Sequence, residues 1–181
     1  MIVKNTSLDG VKIITPTLFE DERGYFFESF KKPIFKNNEL PINFVQDNEV
    51  KSTKGVLRGL HYQFNRPQGK LVRVVSGSIL DVAVDIRKGS PTFGKSEIVH
   101  LNVENRKMLY IPEGFAHGYL VTSSESIVIY KCTDIYDPND QYGIIWNDET
   151  IGVNWTYDSP ILSEKDLMLP VLNDQQFLPK Y

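Results

Sequence analysis

The chain contains three histidines, and two of them stand in settings suited to proton transfer. His61 lies in Gly55-Val56-Leu57-Arg58-Gly59-Leu60-His61-Tyr62-Gln63. A neutral imidazole can take a proton, and a nearby guanidinium can hold an anion. On a regular strand Arg58 and His61 point to opposite faces. A bulge or kink at Gly59 brings them to one side. The bland alternative is a partly buried histidine bonded to backbone. His117 sits among small residues in Pro112-Glu113-Gly114-Phe115-Ala116-His117-Gly118. Small neighbours let a ligand approach the backbone, although a tight turn with a solvated histidine has the same sequence.

Lys70 opens the apolar run Lys70-Leu71-Val72-Arg73-Val74-Val75. There it is either a snorkelling surface residue or a cation placed in a cavity. Tyr130 shares a face with Val128 and Cys132. A buried tyrosine is core with its hydroxyl bonded, or a general acid if it faces a cavity. Phe26 and Tyr136 offer flat faces for a base or for packing. Asp166 falls in the first turn of a short helix after Ser163. It either complements the helix N-terminus or accepts an imidazole N–H and so sets the tautomer.

These residues need a frame of strands. Period-two patterns rich in β-branched and aromatic residues predict strands near residues 11–14, 25–30, 70–75, 79–86, 96–101, 107–111, 118–122, 126–133 and 143–146. Runs 70–75 and 79–86 flank Ser76-Gly77-Ser78 and read as a hairpin. In it Leu80, Val82, Val84 and Ile86 form the buried face, and Asp81, Ala83 and Asp85 the wet one. A short helix is expected within residues 31–40, and another after Ser163 that stops by Pro170. The fold class is therefore all-β: a jelly-roll double sheet with a few short peripheral helices, whose interior is a natural ligand cavity.

Length and composition agree. The chain has 181 residues, 41% hydrophobic and 24% charged, and reads as one domain over residues 1–181. Its net charge of −3 argues against a general nucleic-acid binder. The first residues lack signal-peptide character and no apolar run reaches a membrane span. The lone Cys132 cannot form an internal disulfide, which suits a cytoplasmic setting. No phosphate loop, dinucleotide fingerprint or nucleophile elbow is present. A cupin-type metal site would need more nitrogen ligands, because His61-Tyr62-Gln63 lacks the second histidine of a His-x-His pair.

Several stretches, in order, resemble the dTDP-4-dehydrorhamnose 3,5-epimerase family. They are Asp21-Glu22-Arg23-Gly24-Tyr25-Phe26-Phe27-Glu28-Ser29-Phe30, Phe44-Val45-Gln46-Asp47-Asn48, Ser52-Thr53-Lys54-Gly55-Val56-Leu57-Arg58-Gly59-Leu60-His61-Tyr62-Gln63, Gln68-Gly69-Lys70-Leu71-Val72, Asp81-Val82-Ala83-Val84-Asp85-Ile86-Arg87, Ser90-Pro91-Thr92-Phe93-Gly94 and Ile111-Pro112-Glu113-Gly114-Phe115-Ala116-His117-Gly118. The resemblance covers nearly the whole chain. It implies a cupin fold and epimerisation at C3 and C5 of a dTDP-4-keto-6-deoxy sugar, with no cofactor and no metal.

By that resemblance His61 is the catalytic base, Asp166 its partner, Tyr130 the acid on the opposite sugar face, and Lys70 the cation beside the keto oxygen. Arg58 and His117 fall near the diphosphate and sugar. Gln46, Asn48, Glu28, Phe26 and Tyr136 fall at the nucleotide end. Arg23 and Phe26 would come from a neighbouring subunit, implying a homodimer with an exchanged N-terminal strand. Neither nucleic acid nor membrane is an expected partner. Two departures stand out: a short loop at Phe64-Asn65-Arg66-Pro67, and Leu167 where a basic residue is expected. Lys165 or Arg66 could supply the missing cation. Single-centre epimerases, a non-catalytic sugar-binding cupin and a metal-dependent cupin are the alternatives.

Overall fold

The computed structural model describes residues 1–181. In chain order the strands are β1 (Ile2–Asn5), β2 (Lys12–Thr15), β3 (Leu18–Asp21), β4 (Gly24–Phe27), β5 (Gln46–Thr53), β6 (Leu57–Gln63), β7 (Lys70–Ser76), β8 (Ser78–Asp85), β9 (Ser96–Asn102), β10 (Met108–Ile111), β11 (Phe115–Val121), β12 (Glu125–Cys132) and β13 (Gln141–Gly143). Helix α1 (Lys32–Asn37) lies between β4 and β5, and α2 (Glu164–Leu167) lies near the C-terminus.

The strands form two antiparallel sheets, ordered β1-β2-β10-β7-β12-β5 and β13-β6-β11-β8-β9, with β3 and β4 as a separate hairpin. This is the expected jelly-roll double sheet. Val72, Val74, Leu109, Ile111 and Val128 of the first sheet pack against Ile79, Ala83, Val99, Leu101, Phe115 and Val121 of the second. Each sheet is also covered outside. Phe35 of α1 and Leu40 cover Ile14, Leu71 and Met108. Ile144, Ile151, Trp155, Leu172 and Leu178 cover Leu57, Leu60, Leu80, Val82 and Val84.

Two local expectations are corrected. Strands 70–76 and 78–85 do not pair as a hairpin, since β7 belongs to the first sheet and β8 to the second. Gly77, at φ +77°, carries the chain between them, and a Cβ there would meet Glu125 O at 2.1 Å. The wet face of β8 is also absent: Asp81, Ala83 and Asp85 are fully buried. Leu80, Val82 and Val84 pack outward beneath the C-terminal segment, whereas Ile79 and Ala83 face the inter-sheet core. Alternation tells which side chains share a face, but a later segment decides which face water reaches.

Smaller differences follow the same logic. The strand expected at 25–30 ends at Phe27, and that at 143–146 is β13, which ends at Gly143. β5 escaped notice because its alternating residues Gln46-Asp47-Asn48-Glu49 are polar. It is held by an eight-residue register with β12 rather than by apolar burial.

Candidate active site

A cavity of about 640 Å³ opens between the sheets. β5, β7 and β12 line it from the first sheet, and β6, β11 and β13 from the second. Nine of the sequence-derived candidates border it: His61, Asp166, Lys70, Tyr130, Arg58, His117, Gln46, Asn48 and Tyr136. The core packing holds these residues, from five strands, one helix and the loop before β13, around one space.

A register shift on β6 brings Arg58 and His61 to the cavity together. His117 of β11 pairs with His61, but Tyr119 pairs with Arg58, so two residues of β6 oppose one of β11. Gly59 occupies the bulge at φ +109°, and a Cβ there would meet His117 O at 2.5 Å. Arg58 Nε then donates to Ser52 Oγ at 3.1 Å.

His61 Nε2 lies 2.6 Å from Asp166 Oδ1. The carboxylate is carried by α2, whose Ser163 cap accepts from Asp166 N at 3.2 Å. Burial acts to raise the Asp166 pKa, but the hydrogen bond and charge of His61, with Ser163, hold it below the usual carboxylate value. A carboxylate accepting from Nε2–H leaves the lone pair on Nδ1, the tautomer needed for a base at that nitrogen.

Lys70 projects from β7 into the cavity and its ammonium has no hydrogen-bond or ion-pair partner in the chain. Burial lowers its pKa, while Cys132 and Asp81 oppose that fall. Tyr130, on β12, has its phenol pKa raised by burial and by Cys132, with Arg58 pulling the other way. His117 forms a second carboxylate–imidazole pair, Nε2 to Asp81 Oδ1 at 2.7 Å. Burial lowers its pKa and Asp81 opposes the change.

At the other end, Tyr136 N donates to Gln46 Oε1 at 2.8 Å, and Gln46 Nε2 donates to Asn48 Oδ1 at 2.9 Å. The Tyr136 hydroxyl donates to Gln141 Oε1 at 2.7 Å. An exposed ring with neighbouring amides is a surface on which a planar base can stack and find hydrogen bonds.

Three candidates lie elsewhere. Arg23 pairs with Asp21 at the β3–β4 turn. Phe26 stands 64% exposed on β4, and Glu28 binds Lys31. This chain alone does not bring them to the cavity. Of the two proposed substitutes for a basic residue at Leu167, Lys165 borders the cavity. Arg66 instead pairs with Asp134 at 2.6 Å. Asp81 and Gln141 escaped the sequence reading: the first was assigned to a wet face, and the second gives no local signal. No three His, Cys, Asp or Glu side chains converge as a metal-ligand set.

Comparison with known proteins identifies the family. The family model described as dTDP-4-dehydrorhamnose 3,5-epimerase matches residues 5–174. A protein of that name from Methanothermobacter thermautotrophicus is 56% identical over 164 residues, covering 89% of each chain. One from Shigella flexneri is 49% identical, over 98% of this chain and 97% of its own. The crystal structure of dTDP-6-deoxy-D-glucose-3,5-epimerase from Legionella pneumophila in complex with dTDP-4-keto-L-rhamnose superposes with TM-score 0.96. It is 46% identical and covers 99% of this chain and 98% of that one.

Proposed function

Because the chain belongs to the dTDP-4-dehydrorhamnose 3,5-epimerase family, we propose that it epimerises C3 and C5 of dTDP-4-dehydro-6-deoxy-D-glucose, giving dTDP-4-dehydro-L-rhamnose. Residues 1–181 act as one catalytic domain in the cytoplasm. The observation that carries the reading is a bonded His61–Asp166 pair bordering the same cavity as Lys70 and Tyr130.

Carbons 3 and 5 flank the ketone, so their protons are weakly acidic. Nδ1 of His61 takes one, and the C–H electron pair moves into an enolate whose negative oxygen faces Lys70. A fixed ammonium interacts more strongly with that oxygen than with the neutral ketone, which lowers the barrier. Asp166 stabilises the imidazolium formed. Tyr130 returns a proton to the carbon from the other face, inverting it; it then regains one from solvent, and the His61 imidazolium gives its proton up to solvent. The mechanism is redox-neutral. Arg58 and Lys165 hold the diphosphate, and Gln46, Asn48 and Tyr136 anchor the thymidine, so that remote binding orients the sugar.

We further propose a homodimer in which the β3–β4 hairpin lends Arg23 and Phe26, with Glu28 close behind, to the partner's nucleotide end. The reading is supported by three exposed aromatics on that hairpin, Phe19, Tyr25 and Phe26.

The test is incubation with the 4-keto sugar in heavy water, followed by NMR. Wild type exchanges and inverts both carbons. His61→Ala loses exchange at both while dTDP still binds; undiminished exchange removes His61 as the base. Tyr130→Phe still exchanges but inverts poorly. Loss of exchange equal to that of His61→Ala contradicts the division of roles.

A further inference from the structure

Asp81 is fully buried on β8, opposite Tyr119 in register. One oxygen accepts from His117, whereas Oδ2 is buried with no partner. A half-satisfied buried carboxylate is costly, and cations offset that cost only when they are near. The acidic and basic groups around Asp81 and its neighbours come from separate elements: Lys70 from β7 and His117 and Tyr119 from β11 act on Asp81 itself, while His61 from β6 acts on His117 and Cys132 from β12 on Lys70.

We propose that Asp81 is a positioning residue for the deprotonation site: it fixes His117 as the neutral Nε2–H tautomer and supplies the buried negative charge that keeps Lys70 an ammonium. This rests on the epimerase reading above. The argument is one of charge. Lys70 has no acidic partner in contact, yet its role beside an enolate requires a proton. His117 and Lys70 border the same cavity, and two adjacent cations there would repel. With Asp81 ionised, His117 neutral and Lys70 charged, the cluster is net neutral. His117 then donates Nε2–H to Asp81 and leaves Nδ1 as an acceptor for a sugar hydroxyl. The direction of the Lys70 shift agrees: burial depresses its pKa, and Asp81 is among the groups that oppose the fall.

Asp81→Asn keeps an oxygen for the His117 N–H and removes the charge. The Lys70 pKa, followed through its 13Cε shift, is expected to fall by at least about one unit. The alkaline limb of kcat should move down with it, KM should stay within about twofold, and Asp81→Glu should restore the limb. An unmoved Lys70 titration overturns the proposal. So does wild-type His117 that 15N NMR finds cationic, or protonated at Nδ1, at neutral pH. If Asp81→Asn does not fold, the wild-type titrations carry the test: Lys70 found as a neutral amine at neutral pH overturns the proposal. These titrations need no turnover, so an inactive wild type would defeat the epimerase reading while leaving this inference to its own measurement.

Discussion

Lys70 shows how much a single residue depends on its surroundings. Beside an enolate its charge must be present and close, and the cavity supplies few competing partners for it. Lys70→Ala is expected to lower kcat by roughly 10²–10³, the size of effect seen when one donor to a developing oxyanion is removed. Affinity for dTDP, measured by calorimetry, should change little, since the proposed nucleotide end lies with Gln46, Asn48 and Tyr136. A large loss of dTDP affinity with kcat intact would put Lys70 on the diphosphate instead. Cys132 belongs to the same neighbourhood: its thiol is buried, its pKa is raised by that burial, and Asn48 Nδ2 donates to it at 3.6 Å.

At the scale of elements, the β6 bulge positions His61 and Arg58. Gly59→Ala forces a Cβ against His117 O and Gly118 Cα, at 2.5 and 2.6 Å, in a conformation that L residues avoid. Thermal unfolding should report a loss of about 2 kcal/mol or more, with activity falling further because Arg58 and His61 lose their common side. A variant with wild-type stability and rate would mean that the bulge is dispensable. The end of β8 carries a different load. Burial acts to raise the Asp85 pKa, but Arg87, Ser90 and Thr92 outweigh it and bring the value to about 2. This folded-state pKa lies below the unfolded one. The stability it confers is therefore present above about pH 4 and lost as pH falls toward about 2. Asp85→Asn should cost about 2 kcal/mol at neutral pH and flatten the acid limb of a denaturation curve. An unchanged acid limb would assign that loss of stability to other carboxylates.

The whole molecule is a sandwich with both outer faces covered and one hairpin left over. A two-stranded hairpin is at best marginally stable alone in water. Phe19, Tyr25 and Phe26 stand 58%, 58% and 64% exposed on it, which is what a surface awaiting a second copy presents. Light scattering should give twice the chain mass. Phe19→Ser with Phe26→Ser should shift the species toward monomer and weaken dTDP binding together. A monomeric wild type, or a monomeric variant that binds dTDP normally, would separate the hairpin from the site.

Local chemistry made much of this protein legible in its residues. β-branched alternation marked most strands, Ser163 marked the start of α2, and Gly59 between Arg58 and His61 signalled a bulge. Those signals act over a few residues, and ordered motifs led to the family. What local pattern could not decide was partnership over distance. The pairing of His61 with Asp166 spans 105 positions, and no spacing rule predicts it. The polar alternation of β8 reads as solvent-facing, but the C-terminal segment covers its apolar face and the opposing sheet buries the other, leaving Asp81 inside beside His117. Tertiary structure decided which face lay inside because burial belongs to the assembled layers: a strand carries the pattern, and its neighbours determine where the water is.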